Sequence, residues 1–116
     1  MPDNSWASLH EKSQSYAATA ADCSDLATAL KLYAEAAMWE EAALRALAPD
    51  KIRTRGISTV SAAVLWMRAG RVEEAKVLAG AGIDSGRLPP FAVKQLREIL
   101  QSCAETRVVG NVEPRR

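Results

Sequence analysis

The stretch AEAAMWEEAALRA, residues 34–46, decides how this chain is read, because something close to it recurs as MRAGRVEEAKVLA, residues 67–79. With the chain slid against itself by 33 residues, Ala29 falls on Ala62, Leu32 on Leu65 and Ala36 on Ala69. Glu40, Glu41 and Ala42 fall on Glu73, Glu74 and Ala75, and Ala46 falls on Ala79. Tyr33 meets Trp66 and Leu44 meets Val77, so size and polarity match as well. Alanine supplies 22 of the 116 residues, which raises the background of chance identities. Placement therefore carries more weight than identity. Read this way, each copy is a long helix that ends, a short turn, and a second helix with glutamates in its first turn. Carboxylates there suit the positive end of the helix dipole.

Working outward, the apolar periodicity predicts six helices. The first starts after Asp3, Asn4 or Ser5, all good N-caps, and runs to about Ala21. The second follows a Ser24 cap, with Leu26, Ala29, Leu30, Tyr33 and Ala37 as its stripe. A third, shorter helix opens at Trp39 and is stopped by Pro49, which lacks the backbone donor. Asp50 caps the fourth, about 51–69, and Gly70 stands where a left-handed residue closes a helix. The fifth runs from about Val72 to Ala81, weakened at its end by Gly80 and Gly82. After the loop DSGRLPP, residues 84–90, a sixth helix opens on proline and spans 89–105. Ala92, Leu96, Ile99 and Cys103 lie on one of its faces.

An alternation of helices at this period is the signature of a stacked helical repeat, because one hairpin alone cannot bury both apolar faces. Here the chain resembles the tetratricopeptide repeat family, whose period is about 34 residues. The match is best over AAVLWMRAGRVEEAKVLA, residues 62–79: the aromatic Trp66, the turn glycine Gly70 and the small Ala75. The earlier copy matches with Tyr33, Trp39 and Ala42, but has Ala37 where the turn glycine is usual. Gly82 replaces the usual later alanine, and no repeat-ending proline follows. The resemblance covers about residues 24–84. It implies an all-α, tetratricopeptide-like stack of antiparallel hairpins, five to six helices forming a short right-handed superhelix. The expected organisation is one domain, 1–105. It comprises a flanking helix (1–22), a first hairpin (24–49), a second hairpin (50–84) and a capping helix (89–105), with a flexible tail at 106–116.

Composition narrows the function classes. Hydrophobic residues make up 48% and charged residues 25%, the profile of an ordinary globular protein. A net charge of +1 lacks the basic excess of a nucleic-acid-binding domain. Two cysteines, Cys23 and Cys103, and one histidine, His10, cannot supply a zinc site, and the cysteines are read as reduced thiols. The N-terminal MPDNSWASLHEKSQ has no apolar signal core, and no apolar run reaches the roughly 18 residues of a membrane span. A soluble, cytoplasmic protein without cofactor is expected.

By the family resemblance, the first helix of each pair lines a concave surface holding Ala27, Lys31, Ala34, Glu35, Val60, Val64, Met67 and Arg68. An apolar middle with charged edges suits a peptide or amphipathic helix. The alternative is that Val60, Val64 and Met67 only contact the sixth helix or the next helix. Lys31 and Arg68 alone do not make the family's carboxylate clamp. A second candidate is the basic run Lys51, Arg53 and Arg55, which opposes the dipole at a helix start and would suit an anionic partner. The competing reading is a solvated face. Glu40–Glu41 and Glu73–Glu74 are read as helix-start carboxylates, not catalytic pairs, and His10 has no partner at a recognisable spacing. The tryptophans are read as packing residues. The expected function is thus a non-enzymatic protein-interaction module, binding a peptide or helix or pairing with a second copy of itself. Two alternatives remain: a small helical regulator contacting nucleic acid or another anionic partner through Lys51, Arg53 and Arg55, and an accessory subunit of an enzyme complex.

Overall fold

The computed structural model describes residues 4–112, with side chains through 105. It is all-α, with five helices: α1 (Trp6–Ala21), α2 (Leu26–Ala46), α3 (Ile52–Arg68), α4 (Val72–Asp84) and α5 (Pro90–Val112). Each start has a local cause. The Ser5 hydroxyl accepts the Ser8 N–H at 3.3 Å, and Asp25, not Ser24, accepts the Thr28 N–H at 2.9 Å. Lys51, not Asp50, stands at the cap position of α3 and makes no side-chain cap bond. The Pro89 carbonyl accepts the N–H groups of Ala92 and Val93, so Pro90 is the first residue of α5.

The expected first hairpin, 24–49, does not form. Residues 26–46 make one continuous helix, and the turn placed near Met38 is absent. The comparison of Ala37 with Gly70 explains why. Gly70 adopts φ of 75°, while Arg71 N–H reaches back to the Trp66 carbonyl and Gly70 N–H to that of Met67. These are the paired bonds of a Schellman ending. Alanine in that conformation costs about 1–2 kcal/mol. With alanine at 37 and strong helix formers on both sides, α2 runs on. Glu40 and Glu41 therefore lie in mid-helix, which corrects their reading as helix-start residues. The hairpin placed at 50–84 does form, as α3 and α4, and Glu73 and Glu74 do occupy the first turn of α4. Two other boundaries move outward: α4 continues through Gly80 and Gly82 to Asp84, and α5 runs past Glu105 to Val112. The part of the expected tail at 113–116 lies outside the described residues.

Each helix packs on its predecessor, and α5 also packs on α3. Pairing runs in opposite directions along neighbours. His10 meets Glu40 and Ser13 meets Ala36 across α1 and α2, while Trp66 meets Glu41 across α2 and α3. Between α3 and α5 the order is parallel. Ala92 lies against Gly56 and Cys103 against Met67, the same separation in sequence at both contacts. The core is built on small side chains. Ala36, Ala37, Ala69 and Ala75 surround Trp66 and Leu65 in one cluster; Ala63 and Ala79 pack with Leu96 in the other. Small residues at these crossings let the backbones approach closely. At Gly56 the approach is tightest: a Cβ added there would stand 3.0 Å from both the Ala92 Cβ and the Pro89 ring.

Candidate functional site

The parallel alignment of α3 and α5 leaves a trough between them of about 590 Å³. Val60, Val64, Met67 and Arg68 line it from α3, at the i, i+4 spacing that places residues on one helix face. Gln95, Glu98, Ile99 and Ser102 line it from α5. Val60, Val64, Met67 and Ile99 are half-buried, while Arg68, Gln95, Glu98 and Ser102 are exposed. The result is an apolar floor edged by a guanidinium on one helix and a carboxylate on the other. Its volume falls in the range of ordinary ligand clefts.

Four of the eight groove residues expected from sequence thus share one surface, which faces α5 across the trough, and Ala27 is not among those lining it. Lys31, Ala34 and Glu35 do not line it. They lie on α2, which pairs with α1 as the second helix of a hairpin. Lys31 and Glu35 are exposed, and Ala34 packs against the Trp66 cluster. The α5 side of the trough comes from the sixth helix, which was expected as a cap and as one contact of Val60, Val64 and Met67 but not as a groove wall. Its i, i+3, i+4, i+7 pattern of Gln95, Glu98, Ile99 and Ser102 was available as a signal.

The basic run does not form one face. Arg53 stands over the Phe91 ring at 5.3 Å, on the α5 side. Arg55 turns the other way, donating to the Leu47 carbonyl at 3.2 Å on the connection from α2. Lys51 is exposed.

A polar linkage at the opposite end of the molecule had no counterpart in the sequence reading. Glu40 is fully buried, and His10 Nδ1 lies 2.8 and 3.0 Å from its two carboxylate oxygens. One proton shared between the ring nitrogen and the carboxyl satisfies both groups. The His10 ring stacks on Trp6 with centroids 4.7 Å apart, and Trp6 Nε1 donates to Ser58 Oγ at 2.7 Å. The linkage therefore ties α1 to both α2 and α3. No buried side-chain nitrogen or oxygen among the described residues lacks a partner. A second indole, Trp66, donates to Glu41 Oε2. Glu40 and Glu41 of α2 thus each bond to a neighbouring helix. Reflecting the chain about Asp25 would have set His10 opposite Glu40, had α2 been read as unbroken.

Among the described residues no group of three or more His, Cys, Asp or Glu is arranged to hold a metal ion. No helix among them is long and apolar enough to cross a membrane. Among the described residues neither Cys23 nor Cys103 forms a disulfide. In comparisons with known proteins, no family model matches the chain, and no curated protein and no solved structure matches it.

Proposed function

We propose that this chain is a non-enzymatic interaction module of tetratricopeptide-like design that seats an amphipathic helix or short peptide in the α3–α5 trough. The observation that carries the reading is the trough itself: parallel helices with an apolar floor and an Arg68–Glu98 rim. An amphipathic helix lays its apolar face into such a groove, and its flanking charges meet the rim. The family resemblance supports this reading at the α3–α4 turn, where Gly70 closes the first helix, and in the parallel order of α3 and α5. Cytoplasmic placement belongs to the same proposal.

Two variants in affinity capture from native extract test it: Val64→Asp on the floor and Glu98→Arg on the rim. Circular dichroism and urea unfolding verify that each remains folded. Loss of the same partner from both supports the trough as the site. A partner retained unchanged by folded Val64→Asp overturns it. Self-association is the competing occupant. Sedimentation over a concentration range separates the two, since a second copy in the trough would make the dimer sensitive to Val64→Asp.

A further inference from the structure

We propose a second ligand site, distinct from the trough, that takes a small carboxylic acid with an aliphatic tail. It is a cavity of about 370 Å³ where the end of α2, the start of α3 and the end of α4 meet. Leu44, Pro49, Leu78 and Leu88 supply apolar wall, and the only charged side chains lining it are Arg55 and Arg87. Neither arginine has a carboxylate within ion-pair reach among the described residues. Arg55 is half-buried and uses one donor on the Leu47 carbonyl. A guanidinium has five donors in a planar fork, so most of this one remains available to an anion.

The end of α4 is satisfied within the chain, and its partial negative charge leaves the arginines as the groups that must attract an anion. A helix C-terminus carries partial negative charge, and α4 ends beside this cavity. Its Ala81 and Ile83 carbonyls accept from Ser85 N–H and Gly86 N–H, and the Gly82 carbonyl accepts from the Ser85 hydroxyl at 2.7 Å. The Leu44 carbonyl accepts Leu47 N–H. Two cationic forks and leucine walls together describe a receptor for one carboxylate and a short hydrocarbon body. Gly82 is closely packed at the cavity's edge: a Cβ there would stand 2.9 Å from Leu96 and 3.2 Å from Thr59.

The test is a titration of the isotope-labelled full chain with octanoate, octan-1-ol and acetate, followed by backbone amide shifts. Octanoate is expected to move Thr59, Gly82 and Leu88, with Kd of about 1 mM or tighter for a ligand of this size. Octan-1-ol lacks the charge and should bind about tenfold more weakly or less; acetate lacks the tail and should bind weakly too. Arg87→Ala, at an exposed position, should weaken octanoate about tenfold and leave octan-1-ol unchanged. Arg55→Gln, which keeps a donor for the Leu47 carbonyl, should act likewise. Val64→Asp in the trough should change nothing. Equal binding of octanoate and octan-1-ol, an Arg87→Ala variant with unchanged octanoate affinity, shifts confined to the α3–α5 trough, or no shifts at all would each overturn the proposal.

Discussion

Glu40 has no exposed surface, and its two oxygens meet His10 Nδ1 at 2.8 and 3.0 Å. A buried carboxylate deprived of its donor pays a large desolvation penalty. His10→Ala should therefore destabilise the chain by about 3 kcal/mol. Glu40→Gln keeps a hydrogen-bonding side chain of the same shape and should cost less, about 1 kcal/mol. Urea unfolding of the three proteins measures both. A His10→Ala loss no larger than that of Glu40→Gln would show that the pair does not hold α1 to α2.

Gly70 and its neighbourhood separate backbone cost from crowding. The nearest atom to a Cβ added there is Leu30 Cδ2 at 3.9 Å, an ordinary contact, while φ is 75°. Gly70→Ala should cost about 1 kcal/mol through the left-handed conformation alone. Gly70→Asn should cost less, because asparagine tolerates that conformation better. Equal losses would place the cost in packing.

Two further glycines should respond with opposite signs. A Cβ at Gly56 meets the Ala92 Cβ and the Pro89 ring, both stiff, whereas one at Gly80 meets nothing within 4 Å. Gly56→Ala should push α5 away from α3 and cost about 1–3 kcal/mol. Gly80→Ala, inside α4, should gain about 0.5–1 kcal/mol from helix propensity. Thermal unfolding of both variants would contradict the close crossing if the two moved together.

Acid should weaken the start of α2 in a defined direction. The Thr28 hydroxyl, and then the Thr28 N–H, hold the Asp25 carboxyl below its ordinary 3.8. A lowered folded pKa contributes stability that is present above the unfolded value and lost as pH falls through the folded one. Glu74 is lowered likewise by Arg71, from 4.5, and adds to the same acid limb. Asp25→Asn keeps a good N-cap without titrating. The stability difference between wild type and Asp25→Asn should shift towards the variant as pH drops below about 4. A difference that stays flat from pH 6 to pH 2 would remove the carboxylate's role.

Much of the architecture was legible where a residue left the backbone one cheap option. Gly70 marked a real helix ending, Pro49 a real stop and Pro90 a real start. The error at Met38 came from extending the pattern of residues 67–79 to a segment without its glycine. Similar side chains in similar order did not impose a turn once Ala37 could continue the helix. That one shift moved Lys31, Ala34 and Glu35 off the trough, because it changed which helices are first in their pairs. It also hid the His10–Glu40 contact, which exists only if Glu40 lies along α2. Val60, Val64 and Met67 were recognisable because their spacing lies within one helix. The cavity at Arg55 and Arg87 was not, since it depends on three helix ends meeting in space.

The packing order carries a kinetic consequence. Every principal helix contact joins chain neighbours, or α3 and α5 with one helix between them. Little chain entropy is lost in closing such short loops. Proteins built from contacts this local fold on the order of microseconds to milliseconds, and they need no distant segment to begin. The α1–α2 and α3–α4 hairpins each join chain neighbours, so either can form without the other.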